Sequence, residues 1–137
     1  MSEEYVPLED EVKFENGKWY QAVKDGDKMK WVQISITDVW PELLLLEWEN
    51  LVHELSDKER DLHNLKEEYL HREQEIVATT DFKEIYGANN QKVRDRHVKE
   101  TLSEMVEAKT NLQFSIDFIR NYIPLIKEVI RTKNNGH

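Results

Sequence analysis

Glu59, His63, Glu67, His71 and Glu75 recur at every fourth position, so on a helix they share one face. Alternating carboxylates and imidazoles are metal-binding chemistry. Here, however, the two histidines sit two turns apart and no His-Glu-x-x-His arrangement exists, so the row is expected to be solvated and to hold no metal. His53 and His97 are isolated and His137 is terminal. A second candidate is the acidity of the same stretch: Glu42 to Glu75 holds eleven acids against four bases. Carboxylates in rows on a rigid helix could imitate a phosphate backbone and occupy a basic DNA-binding cleft. Lys58, Arg60, Lys66 and Arg72 interrupt the row, which favours an ordinary Glu-rich helix exterior. These carboxylates lack the burial that would raise a pKa for acid–base work. With four Gly and no Cys, there is no phosphate-cradling loop, nucleophile elbow, thiolate zinc site or cysteine nucleophile. The expectation is a protein that is not an enzyme and takes no cofactor.

The stretch 78–90 is richer. Thr80 or Asp81 can cap a short helix through Tyr86, Gly87 suits a left-handed stop, and Asn89 or Asn90 can open the next helix. Lys92, Arg94 and Arg96 follow. From Asp81 to Glu100 there are five bases and four acids, against a net charge of −9 for the chain. Phe82, Tyr86, Asn89, Asn90, Lys92, Arg94 and Arg96 therefore form the candidate partner-binding set, able to receive a phosphate or an acidic patch. The plainer alternative uses the same residues: the caps end helices, Phe82 and Tyr86 plug an elbow, and the charges are solvated or paired.

Three zones must position these residues. Residues 1–11 are acidic and read as a flexible tail. Residues 12–36 read as a three-stranded antiparallel meander: Val12 to Phe14, the hairpin signal Asn16-Gly17, Trp19 to Val23, the turn Asp25-Gly26-Asp27, and Met29 to Ile36. Alternation in the second strand suggests one packed face and one partly wet face. Residues 37–131 read as a helical hairpin with its elbow at 78–90, followed by a flexible tail at 132–137. The first helix starts near Ser35, Thr37 or Asp38 and runs to about Val77, some 37 residues and roughly 55 Å.

Its seam is Leu44, Trp48, Leu51, Leu55, Lys58, Leu62, Leu65, Tyr69, Arg72 and Ile76. The second helix starts after Asn89-Asn90 and runs to about Arg131 with the seam Val98, Leu102, Met105, Lys109, Leu112, Ile116, Ile119, Ile123, Ile126 and Ile130. Both alternate steps of four and three, which is heptad spacing. Pro124 removes a hydrogen bond to the Arg120 carbonyl, so a kink or break is expected there. The fold class is therefore mainly α: a long antiparallel, coiled-coil-like hairpin with the meander packed at its base. Surplus apolar residues (Leu43 to Leu46, Trp48, and a second stripe of Phe114, Phe118, Tyr122, Leu125 and Val129) are expected at that base, and any left uncovered would make a homo-oligomer face.

One domain of 137 residues at pI about 5.1 argues against a general nucleic-acid binder or a polybasic membrane protein. The most apolar stretch, Val39 to Leu46, is interrupted by Glu42 and is far short of the ~20 residues of a membrane span. The start Met1-Ser2-Glu3-Glu4 has no basic leader region. A cytoplasmic protein is expected.

The string Thr79 to Arg94 (TTDFKEIYGANNQKVR) resembles a segment of short, uncharacterised proteins of bacteriophages and prophages of Gram-positive bacteria. The similarity extends over about Asp81 to Ile130 and leaves the meander uncovered. It implies a small accessory protein made inside a bacterial host cell that binds host or phage machinery; it brings no activity and no site residues. The expected function is a protein-interaction module using the hairpin tip or an apolar base patch. An acidic DNA mimic that blocks a nuclease or other defence factor is the alternative, and a nucleic-acid accessory protein comes third.

Overall fold

The structure is a computed structural model that describes residues 6–135. In chain order it contains β1 (Val12–Glu15), β2 (Lys18–Asp25), β3 (Lys28–Ile34), a 3-10 turn (Ile36–Asp38), α1 (Pro41–Thr79), α2 (Phe82–Tyr86), α3 (Gln91–Thr101) and α4 (Ser103–Asn135). The fold is mainly α, a helical hairpin preceded by a three-stranded antiparallel sheet in the order β1-β2-β3. Two compact units are distinguished: residues 1–52 with 122–137, and residues 53–121.

In the first unit both hairpin turns follow their residue types. Asn16 and Gly17 take φ of 53° and 78° between the paired Glu15 and Lys18, the type I′ geometry that only such residues adopt cheaply. At the second turn Gly26 alone has positive φ, between Asp25 and Lys28. The third strand ends before Ser35, whose Oγ accepts from the Thr37 amide at 3.3 Å and caps the 3-10 turn.

One sheet face carries Phe14 and the buried Trp19. The Trp19 indole N–H donates to the Tyr122 hydroxyl on α4 at 2.7 Å, and the Phe14 ring lies 5.0 Å from that of Tyr122. The sheet thus packs on α4 through an aromatic cluster. On the other face Lys13 Nζ lies 4.4 Å from the Trp31 ring centre and 5.6 Å from that of Tyr20. Ala22 is fully buried.

The expected tail at 1–11 needs correction. The Glu11 amide donates to Leu8 O at 3.1 Å, the Asp10 amide to Ala22 O at 2.9 Å, and the Ala22 amide to Glu11 O at 2.8 Å. Asp10 has φ of 67°. This is a G1 bulge with Asp in the usual glycine position, and it makes residues 8–11 part of the sheet edge. Residues 1–5, with Glu3 and Glu4, lie outside the described residues.

Helix α1 begins at Pro41, where a missing N–H costs nothing, and the Trp40 carbonyl accepts from Leu43 and Leu44. The Lys133 ammonium of α4 bonds the Val39 carbonyl, and Lys127 Nζ lies 5.3 Å from the Trp48 ring centre. The start of α1 therefore meets the end of α4. That end falls at Asn135, so the expected tail at 132–137 is largely helix; residues 136 and 137 lie outside the described residues.

In the second unit α1 and α4 run antiparallel. Lys58 bonds Ser115, Glu59 bonds Arg120 at 2.7 Å, and Tyr69 sits under Lys109. Every seam position of both helices is at least partly buried except Arg72. Contrary to expectation, the irregularity falls at Leu102 and not at Pro124. Leu102 has ψ of 27°, far from the helical value near −42°, although the bonds Leu102 N to Val98 O and Val106 N to Leu102 O persist on either side. Helix α4 continues through Pro124. Ile119, Tyr122 and Ile126 around the proline are all buried, and the packing of three such side chains outweighs one missing hydrogen bond.

Candidate functional site

The elbow forms as its residue types dictate. Asp81 Oδ1 accepts from the Glu84 amide at 3.1 Å and starts α2. Gly87 at φ 72° closes it, its N–H donating to Lys83 O at 2.9 Å. Asn90 Oδ1 accepts from the Val93 amide at 3.0 Å and starts α3. Phe82 is 1% exposed, with the His97 ring edge-on to it at 5.4 Å. The Tyr86 hydroxyl and His97 Nδ1 are 2.6 Å apart. The Arg94 guanidinium donates to the carbonyl and side chain of Asn89 at 3.3 and 2.9 Å and to Gln91 Oε1 at 3.1 Å. Arg96 pairs with Glu100 on its own helix at 3.2 Å.

Of the seven residues expected to bind a partner here, Phe82 is core and cannot reach one. Asn90 is a cap, Arg94 staples the entry to α3, and Tyr86 is engaged with His97. Asn89 accepts from Arg94, and Arg96 is paired. Lys92 is exposed with no partner among the described residues. The elbow is thus brought together as a packed corner, and its polar groups largely satisfy each other.

Beside it lies an open groove of about 520 Å³ with Val77, Ala78 and Val98 among its lining and Glu73 and Asp95 as its carboxylates. Its polar wall is one hydrogen-bonded chain, Asn89–Arg94–Gln91–Asp95. Partial burial pushes the Tyr69 hydroxyl pKa up, with help from the negative charges of Glu73 and Asp95.

The acidic row on α1 is broken by its own bases. Glu54 pairs with Lys58, Asp57 with Arg60, and Glu68 with Arg72, while Glu59 is held by Arg120 of α4. His63 lies 3.2 Å from Glu67, both well exposed. Nowhere among the described residues do three His, Asp or Glu side chains converge as a metal would need.

One base of this stretch behaves differently. Lys66 has no partner among the described residues. Its helical neighbours at three and four residues are Leu62, His63, Tyr69 and Leu70, none of them a carboxylate. It borders two adjoining hollows between α1 and α4 that share Leu62, Lys66 and Gln113. The sequence reading counted Lys66 only as an interruption. The missing acids one turn away were the available signal, but the facing residues of α4 were not legible without the pairing.

Large apolar side chains also stay in water. Trp40 (69% exposed), Leu45, Leu46 and Leu125 do so in the first unit, and Leu70, Phe114 and Phe118 in the second. No helix among the described residues is long and apolar enough to cross a membrane. Compared with known protein families, curated proteins and solved structures, the chain matches none.

Proposed function

We propose that this chain is a non-enzymatic accessory module that binds a protein, of host or phage, through apolar side chains its helices leave exposed. The observation that carries this reading is that exposed set: Trp40, Leu45 and Leu46 in one unit, Phe114 and Phe118 in the other. Single exposed apolar residues are ordinary, but large ones grouped in the chain, as Trp40, Leu45 and Leu46 are at the start of α1 and Phe114 and Phe118 one turn apart on α4, mark interaction surfaces. The elbow supports the reading less, because its aromatic and basic groups are spent on each other. A phage or prophage origin and a bacterial cytoplasmic setting are part of the proposal, and so is self-association through the same side chains. The DNA-mimic alternative has less behind it, since ion pairs divide the acidic row.

The test is capture of partners from the native cell, with mass by light scattering. Leu45→Glu/Leu46→Glu should lose the partner while keeping the wild-type circular dichroism. Lys92→Ala/Arg96→Ala should retain it. The opposite pattern would overturn the reading in favour of the elbow. Partner loss with moderate salt, indifferent to the apolar variant, would favour the acidic mimic.

A further inference from the structure

The sheet leaves one long edge open. In the order β1-β2-β3, β3 is an outer strand. It is seven residues long without Pro or Gly, whereas β1 on the opposite edge has four. On the β1 side, the Ala22 N–H donates to Glu11 O and the Ala22 carbonyl accepts from Asp10. Ala22 and its cross-strand partner Trp31 are therefore a non-hydrogen-bonded pair, and Trp31 turns its own N–H and C=O away from β2. By the same alternation Met29 and Gln33 do so too. No hydrogen bond from elsewhere among the described residues meets these groups, and no helix of the same unit runs beside the strand. Such a row is a template for one more strand.

The side chains select that strand. Lys28, Lys30, Val32 and Ile34 share one face, and Met29, Trp31 and Gln33 the other. Lys28 is exposed without a partner among the described residues, and Lys30 has only Asp25 at 3.7 Å. Val32 is 38% exposed. The strand carries two cations and no acid, and residues 12–36 hold five bases against three acids in a chain of net charge −9. Lysines on an edge strand oppose its pairing with a second copy, which would concentrate like charge along the seam. A strand with carboxylates at alternate positions is attracted instead, because opposite charges on facing strands stabilise the pair.

We propose that the outer edge of β3 takes up an extended segment of a partner protein as a fourth strand, with carboxylates two residues apart facing Lys28 and Lys30. Backbone hydrogen bonds to Met29, Trp31 and Gln33 hold it, and the lysines choose it. This goes beyond the module reading above, which concerns helix surfaces, and stands or falls separately from it.

The probe is a displayed library of random 12-residue linear peptides, selected on the full chain. Enriched sequences should carry Asp or Glu at alternate positions among β-branched or aromatic residues. They should bind Lys28→Glu/Lys30→Glu at least tenfold more weakly than wild type, and Lys99→Glu, an exposed charge control on α3, equally well. Gln33→Pro removes one outward N–H, a place where an edge strand tolerates proline, and should weaken binding as much; circular dichroism checks each fold. A further readout leaves the protein untouched. N-methylation of one alternate set of peptide amides should abolish binding, and of the other set should not. No enrichment, enrichment without acids, both methylated series behaving alike, or equal weakening by Lys99→Glu overturns the proposal. So does a dimer in light scattering that Gln33→Pro dissolves, because the edge would then be filled by a second copy.

Discussion

Tyr122→Phe tests the hydrogen bond between sheet and helix. The substitution keeps the ring, which lies 5.0 Å from Phe14, and removes only the oxygen that accepts from the Trp19 indole at 2.7 Å. Trp19 is 4% exposed and Tyr122 9%, so water does not easily replace the lost acceptor. A buried donor left without a partner costs about 1–3 kcal/mol. For a chain of this size that corresponds to a fall in Tm of about 3–10 °C. Trp19→Phe should cost more through lost packing. The double variant should be less destabilised than the sum, because the stranded donor is absent from it. Thermal and urea unfolding followed by circular dichroism give all four corners of the cycle.

The same bond predicts an alkaline signature. Burial pushes the Tyr122 pKa above 10.0, against a smaller opposing effect of the Trp19 bond. A raised folded-state value means that stability is intact below about pH 10, then declines as the unfolded chain ionises first. Tyr122→Phe should flatten that decline, leaving the part due to Tyr69, whose pKa is also raised. An unchanged Tm with additive effects of the two substitutions would refute the reasoning.

At the elbow, Gly87→Ala should destabilise by about 1–2 kcal/mol through backbone conformation, since a Cβ there would meet nothing within 4 Å. Gly87→Asn should cost less in the same urea titration, because Asn tolerates the left-handed region. In the seam, Lys58→Leu replaces a half-buried ammonium with a side chain suited to the site. Urea unfolding should show a gain of about 1 kcal/mol, and a loss would mean that the bonds to Ser115 and Glu54 outweigh apolar burial.

Much of this architecture was legible because its signals are local. Asn16-Gly17, Asp81, Gly87 and Asn90 each announce a turn or cap through a backbone conformation or a side-chain acceptor that few other residues supply. The two heptad seams were equally readable from spacing alone. What failed depended on long-range packing. Pro124 is a strong local breaker, yet buried Ile119, Tyr122 and Ile126 carry the helix across it. Nothing in the residue types at Thr101-Leu102-Ser103 announced the break found there. Asp10 and Glu11 looked like a charged tail, because pairing with Ala22 leaves no periodic trace in four residues. Phe82 was read both as a ligand and as a plug; only its burial decides for the plug. Lys66 was passed over because an unpaired base shows itself only once every neighbour is placed.

The ammonium groups of Lys58 and Lys109 also act as alignment pins. Slide one helix past the other by a heptad and Lys58 would face Ala108 or Tyr122, whereas Lys109 would leave its ring for Leu62 or Ile76. Either offset keeps the oily contacts nearly intact yet costs Lys58 its bond to Ser115 and Lys109 its ring, so two otherwise repetitive rods favour one way to mesh.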